Sequence, residues 1–110
     1  MKDDLRKYLW DILEAVKRLE KATATPVTFD QFSKNDILIN AVERNFEIIG
    51  EALKRALEIA PDLAVTDARK IIGMRNIIAH NYEEVESINL WGTVKKNVPV
   101  LKAEIEKLLN

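Results

Sequence analysis

The chain has 110 residues, a length typical of one domain, and its formal net charge of −1 provides no basic surplus for broad binding to nucleic acid. Hydrophobic residues make up 47% and charged residues 32%, which excludes a disordered chain, and no apolar run is long enough to span a bilayer. The sequence has no cysteine and one histidine, which excludes disulfides, a cysteine nucleophile and a multi-histidine metal site within one chain. Because no secretory signal follows Met1, we expect a cytoplasmic domain with no membrane partner.

The N-terminal part of the chain predicts one amphipathic helix followed by a connector. Apolar residues recur at spacings of three and four from Leu5 onward, and the pattern ends near Thr23, before a proline. The segment 26–35 is then interpreted as a connector with one short turn that holds Phe29 and Phe32.

A second helix is predicted to begin between Ser33 and Asp36, where polar residues can cap it, and to end before Pro61. Its apolar arc is wide enough for two neighbours, either two helices or one helix and a second subunit. Asn45 lies on this arc, so we expect a buried polar group there, although the sequence does not indicate its partner. The opposite side is polar and includes Arg44, Glu47 and Glu51.

Two further helices complete the pattern. Thr66 and Asp67 are expected to cap a third helix that runs to about Ala79, and Ser87 can cap a fourth. Pro99 lies inside the fourth helix and should kink it or split it into two. Four principal helices with short connections favour an all-α fold, an antiparallel bundle of four to five helices in a single domain over the whole chain.

One residue of the third helix does not fit an ordinary amphipathic pattern. Arg75 lies inside the apolar stripe, where an unpaired buried charge would cost several kcal/mol. It must therefore meet a carboxylate, for which Glu47 and Glu51 are candidates, or line a cleft that receives an anion. His80 lies about 140° from Arg75 around the same helix, so the two meet only if the helix loosens or if two chains build the site. A symmetric dimer is the natural way to bring them together.

An arginine and a histidine together suit phosphodiester chemistry. Histidine titrates near neutral pH and can move a proton at a reacting oxygen, while arginine binds phosphate and stabilises charge that develops on it. Attack by the 2′-hydroxyl of RNA on its own phosphorus needs neither a metal nor an external nucleophile. Spacing alone, however, favours structural roles over catalysis. An arginine in an apolar stripe usually belongs to a structural ion pair, as Arg75 would, and a lone histidine at a helix end, such as His80, is usually a cap or a surface residue.

Residues 75–82 spell R-x4-H-x-Y and resemble the signature of the HepT-type HEPN ribonuclease toxins of prokaryotes. The segments 41–52, 71–76 and 90–101 are similar to other parts of that family, so the resemblance covers most of the chain from about Asp36 onward. It implies an all-helical homodimer in which the R-x4-H residues face one another in a cleft. It also implies cleavage of RNA without a metal or other cofactor.

The resemblance assigns roles to particular residues. Arg75 and His80 would be the catalytic pair, and Asn76 occupies the position where the family favours a polar residue that positions substrate. Tyr82 is the motif tyrosine. Cleft contacts by residues of the second helix stay hypotheses, and the candidates are Arg44, Glu47 and Glu51.

The resemblance also implies a biological setting. The chain would be the toxin of a type VII-like toxin–antitoxin system, and its partner would be an MntA-type minimal nucleotidyltransferase antitoxin. That antitoxin would transfer AMP units from ATP to Tyr82, adding negative charge and bulk where RNA must enter. Transfer RNA is a candidate substrate, and no DNA partner is expected.

Two alternatives remain open at this stage. The chain could be a non-catalytic subunit that binds nucleotide or substrate for a nucleotidyltransferase, with the motif holding phosphate and not cleaving. It could also be a purely structural bundle, in which case Arg75 would serve only in a salt bridge and its loss would mainly lower stability.

Overall fold

The computed structural model describes residues 2–24, 28–80 and 87–110, apart from the side chains of Ile77, Ala79 and His80. These residues form helices and connecting turns, and none of them lies in a strand, which confirms the all-α prediction. The helices are α1 (Asp3–Ala22), α2 (Phe29–Ser33), α3 (Asp36–Ile59), α4 (Ala68–His80) and α5 (Ser87–Leu109).

The boundaries of α1, α2 and α3 lie close to the predicted ones, and side-chain caps mark the starts of α2 and α3. The predicted short turn in the connector is α2, which begins with a capping box: the Gln31 amide donates to Thr28 Oγ1 at 3.1 Å, and the Thr28 amide donates to Gln31 Oε1 at 3.0 Å. Asn35 caps α3 by accepting a hydrogen bond from the Leu38 amide at 3.0 Å.

Helix α3 lies at the centre of the molecule and packs against both α1 and α4, as its wide apolar arc predicts.

The structure shows the hydrogen-bond partners of Asn45, which the sequence does not indicate. Its Oδ1 accepts a hydrogen bond of 2.8 Å from Arg18 Nε of α1, and its Nδ2 donates to the Ala41 carbonyl at 2.9 Å. The amide therefore joins α1 to α3 with its polar atoms satisfied. The largest fully buried side chains include Phe32, Phe46, Leu9, Ile12, Ile49, Leu53, Ile71 and Leu101.

Helix α5 runs without a break through Pro99, so the alternative of two separate helices is wrong. Side chains of α5 hold other elements in place. Trp91 packs against Phe32 of α2, with ring centroids 5.1 Å apart, and Lys95 Nζ lies 4.6 Å from the Trp91 ring centroid. Lys102 of α5 forms an ion pair of 3.0 Å with Glu20 of α1, and this hydrogen bond raises the pKa of the Lys102 ammonium.

The start of α4 is anchored to α5. The Thr66 hydroxyl donates to Glu104 at 2.7 Å, and the Asp67 carboxylate accepts from Asn97 Nδ2 at 2.7 Å. The two residues predicted to cap this helix therefore fix its position against α5, and the helix begins at Ala68 directly after them. Within the described ranges, no helix is both long and apolar enough to cross a membrane.

The packing around Trp91 generates a stability prediction. Phe32→Ala removes a fully buried ring and should lower the free energy of unfolding by about 3–5 kcal/mol, since a cavity is left between α2 and α5. Ile37→Ala is the matched control, because Ile37 is 84% exposed and its loss should change stability by less than about 0.5 kcal/mol. Urea denaturation of the two variants measures both values, and equal stabilities would contradict this description of the core.

Candidate active site

A cleft of about 370 Å³ opens between α1, α3 and α4. Its walls combine an apolar floor on α3 with charged and aromatic side chains around it. Arg75 of α4 contributes one side of this cleft, so the residue that broke the apolar pattern of the sequence reaches a solvent-filled space. The lining residues are Tyr8, Asp11, Arg44, Glu47, Ile48, Glu51, Ala52, Arg55 and Arg75.

The Arg75 guanidinium is held in a defined orientation. Its Nη2 lies 3.1 Å from Glu51 Oε2 of α3, and its Nη1 donates to Asn76 Oδ1 at 3.0 Å. The Arg75 side chain is 24% exposed, so its stem is covered while its charged end remains accessible from the cleft. Two of the predicted site residues, Asn76 and Glu51, therefore bind the Arg75 guanidinium.

Glu51 binds two arginines at once. Besides Arg75, it accepts a hydrogen bond of 3.2 Å from Arg55 Nε on the next turn of α3. Arg44 and Glu47 form a longer ion pair of 3.9 Å elsewhere in the cleft. The cleft walls thus carry three arginines and three carboxylates, which agrees with the small net charge of the chain. Any affinity for an anion must therefore come from the local orientation of the arginines.

The close contact between α3 and α4 depends on Gly50. A Cβ atom added to Gly50 would overlap the Arg75 Cβ and would lie 2.7 Å from the Arg75 Cγ. These are atoms near the α4 backbone, so they cannot move aside without moving the helix. The absence of a side chain at Gly50 is what lets α4 approach closely enough for Arg75 to reach Glu51.

The structure distinguishes between the two carboxylates proposed for Arg75. Glu51 is the partner, and Glu47 pairs with Arg44. Asn76 is exposed and accepts the hydrogen bond from Arg75. The Tyr82 prediction and the side-chain role of His80 concern parts of the chain outside the described residues.

The backbone of α4 is helical as far as His80. Position 80 therefore lies about 140° around the helix axis from position 75, as the helical wheel predicts. The two positions therefore lie on different sides of α4 over the part of the helix that the structure describes.

Sequence reasoning does not place five of the lining residues in the site, and three of these are polar or aromatic: Tyr8, Asp11 and Arg55. Tyr8 follows Leu5 at a spacing of three, as a residue of the apolar stripe does, and it is half-buried at the cleft wall. Asp11, three residues later, and Arg55 of α3 also line the cleft, and nothing in the sequence pattern assigns a role to either. Gly50, inside a long apolar helix, was the available signal of a close helix contact.

The Gly50 contact can be tested by adding one methyl group. Gly50→Ala should lower the free energy of unfolding by about 1–3 kcal/mol, because the overlap with Arg75 forces α3 and α4 apart. Gly92→Ala in α5 is the matched control, since none of the described atoms lies within 4 Å of the added Cβ. The control should be stabilised by up to about 1 kcal/mol through helix propensity. Chemical denaturation measures both, and a Gly50→Ala variant as stable as the control would contradict the contact.

Comparisons with known proteins identify the family of this chain. Residues 12–108 match the HepT-like family, described as "Ribonuclease HepT-like". The chain is 33% identical over 106 residues to "Putative RNase MJ1380" of Methanocaldococcus jannaschii, a match that covers 96% of each chain. It is 36% identical over 112 residues to "Probable ribonuclease HepT" of Thermococcus cleftensis, which covers 98% of each chain. No solved structure gives a significant match. The chain belongs to the HepT-like ribonuclease family.

Proposed function

We propose that this protein is a metal-independent endoribonuclease, the toxin of a type VII-like toxin–antitoxin pair, which cleaves RNA at a site that contains Arg75 and His80. Arg75 carries the proposal. Its guanidinium is oriented by Glu51 and Asn76 at the wall of an open cleft, where it can accept a phosphate. Membership of a ribonuclease family supports RNA as the substrate class.

The ion pair between Arg75 and Glu51 is weak enough to yield to RNA. Glu51 is 39% exposed, and partly exposed pairs of this kind contribute only about 0–1 kcal/mol. A phosphate can therefore compete for the guanidinium through two parallel hydrogen bonds. Glu51 keeps Arg55 as a partner when Arg75 turns to the substrate, so the exchange leaves no isolated carboxylate.

This arrangement argues against a purely structural role for Arg75. An ion pair contributes most to stability when it is deep in a bundle, where loss of one partner strands a buried charge. Here both partners are partly exposed, and Glu51 has a second arginine. Loss of this ion pair in Arg75→Ala should by itself cost less than about 1 kcal/mol of stability.

In the proposed reaction the 2′-oxygen of a ribose forms a bond to the adjacent phosphorus, and the bond from phosphorus to the 5′-oxygen breaks. A 2′,3′-cyclic phosphate and a free 5′-hydroxyl result. His80 takes the proton from the 2′-hydroxyl or returns one to the departing oxygen. Arg75 stabilises the charge that develops on the phosphate oxygens.

A homodimer is part of the proposal. Positions 75 and 80 lie on different sides of α4, so one helix does not direct both residues into one space. Two copies related by a two-fold axis would place Arg75 of each chain near His80 of the other. The site would then contain two histidines, one to accept a proton and one to donate one.

Control of the activity is proposed to act through Tyr82. An MntA-type nucleotidyltransferase would attach AMP to its hydroxyl, which would add phosphate charge two residues from His80. Because the cleft carries no net positive charge to offset it, the added charge should repel RNA.

The first test compares RNA cleavage by wild type, Arg75→Ala and His80→Ala in excess EDTA. Each substitution should lower the cleavage rate by roughly 10²–10⁴-fold, because it removes charge stabilisation or proton transfer in the transition state. Arg69→Ala is the matched control. It removes an exposed arginine from the same helix and should cleave at close to the wild-type rate.

The products separate the competing interpretations. Cyclic phosphate ends from wild type alone support the proposed reaction. Nucleotide or RNA binding without cleavage would indicate the alternative, a binding subunit of a nucleotidyltransferase complex. Equal cleavage by wild type and His80→Ala would overturn the assignment of the site.

A second test concerns Tyr82. Co-expression with a minimal nucleotidyltransferase should increase the mass of the chain by whole AMP units, as measured by intact-protein mass spectrometry. Tyr82→Phe should remain unmodified, since it lacks the acceptor oxygen, while Tyr8→Phe, the control at the other tyrosine of the chain, should be modified as wild type is. Modification of Tyr82→Phe would contradict the assignment.

A further inference from the structure

Two side chains of α1 line the cleft and take no part in the reaction described above. Tyr8 and Asp11 lie three residues apart, so they share one face of α1, and both are half-buried at the cleft wall. Among the described residues, neither the Tyr8 hydroxyl nor the Asp11 carboxylate has a hydrogen-bond or ion-pair partner, and the Tyr8 ring is approached by Lys7 Nζ at 5.9 Å from its centroid. All the other charged groups of the cleft are paired with one another.

We propose that Tyr8 and Asp11 form a nucleobase subsite, in which the Tyr8 ring stacks on a base next to the scissile phosphate and Asp11 reads the Watson–Crick edge of that base. The inference rests on the proposed ribonuclease function, because it assumes that Arg75 holds the neighbouring phosphate. Recognition of unpaired RNA bases by aromatic stacking and by hydrogen bonds to base edges is the general mode for single-stranded RNA.

The dimensions and the lining of the cleft fit one nucleotide. Its volume of about 370 Å³ lies at the lower end of the roughly 300–1,000 Å³ of small-molecule pockets. Ile48 and Ala52 of α3 contribute apolar lining to the cleft. A base has two apolar faces and polar edges, so it can lie against this surface while its edge meets a carboxylate.

The distribution of charge across the cleft determines the orientation in which the nucleotide binds. Arg75 lies on α4, and Arg44 and Arg55 lie on α3, whereas the unpaired carboxylate of Asp11 lies on α1. Asp11 repels phosphate, so the phosphate binds toward the arginines and the base toward α1. The base therefore meets Tyr8 and Asp11 together.

A carboxylate at the base edge selects among the four bases. Guanine presents two parallel donors, its N1–H and its 2-amino group, which match the two oxygens of Asp11. Adenine and cytosine each present one amino group. Uracil presents a single N–H between two carbonyl oxygens, which the carboxylate repels. We therefore expect guanine to be preferred and uracil to be disfavoured at this position.

The test uses a pool of RNA oligonucleotides randomised at every position, cleaved to a small extent and sequenced at the new ends. For wild type, one position beside the cut should favour guanine over uracil by about tenfold, a discrimination typical of one well-placed set of base-edge hydrogen bonds. Asp11→Asn should reduce that preference to less than about threefold, because the amide has one acceptor in place of two. Glu106→Gln, which removes an exposed carboxylate from α5, should leave it unchanged.

Substitutions at Tyr8 separate stacking from hydrogen bonding. Tyr8→Phe keeps the ring and should cleave like wild type. Tyr8→Ala should lower kcat/KM by about tenfold or more for all sequences, in the range observed for loss of one base–aromatic stack. A loss of activity in Tyr8→Phe equal to that in Tyr8→Ala would overturn the stacking role.

The subsite and the proposed function can fail separately. If wild type cleaves but Asp11→Asn leaves the base preference unchanged, the subsite is wrong and the ribonuclease function stands. If wild type does not cleave, titration with GMP and UMP still tests the subsite by calorimetry. Tighter binding of GMP that Asp11→Asn abolishes would support it, and equal binding of both nucleotides, or none, would overturn it.

Discussion

The close approach of α3 and α4 at Gly50 is the constraint on which the site depends. An α-helix carries side chains on all sides, so two helices normally stay far enough apart to accommodate them. With no side chain at Gly50, the Arg75 stem lies directly on α3, and its guanidinium reaches Glu51 one residue later in that helix. A larger residue would separate the helices and remove Arg75 from Glu51.

The rest of the fold keeps this contact in place. Asn45 joins α3 to α1 through Arg18, and the residues that precede α4 are bonded to Glu104 and Asn97 of α5. These polar contacts fix three helices around α3 in addition to the apolar core. The cleft lies between α1, α3 and α4, so its shape follows from the packing of these three helices.

The electrostatics of the cleft explain how a nearly neutral protein could act on RNA. The arginines are paired with carboxylates, so the cleft exerts no strong long-range attraction. Each pair is partly exposed and weak, so a phosphate that reaches the cleft can replace a carboxylate as the partner of Arg75. Selection of substrate would then depend on short-range contacts, such as stacking on Tyr8, more than on net charge.

The sequence by itself determined the helices and the anomaly of Arg75, because the hydrophobic period, the caps and the positions of Gly and Pro are local properties. It indicated Glu51 as a candidate partner, yet it could not choose between Glu51 and Glu47, which lie four residues apart on one helix. Only the tertiary structure made that choice, because the packing of α4 on α3 brings Arg75 next to Glu51, while Glu47 pairs with Arg44. The partner of Asn45 and the placement of Tyr8 and Asp11 beside Arg75 were likewise decided by packing, since they join residues far apart in the chain whose proximity no local pattern encodes.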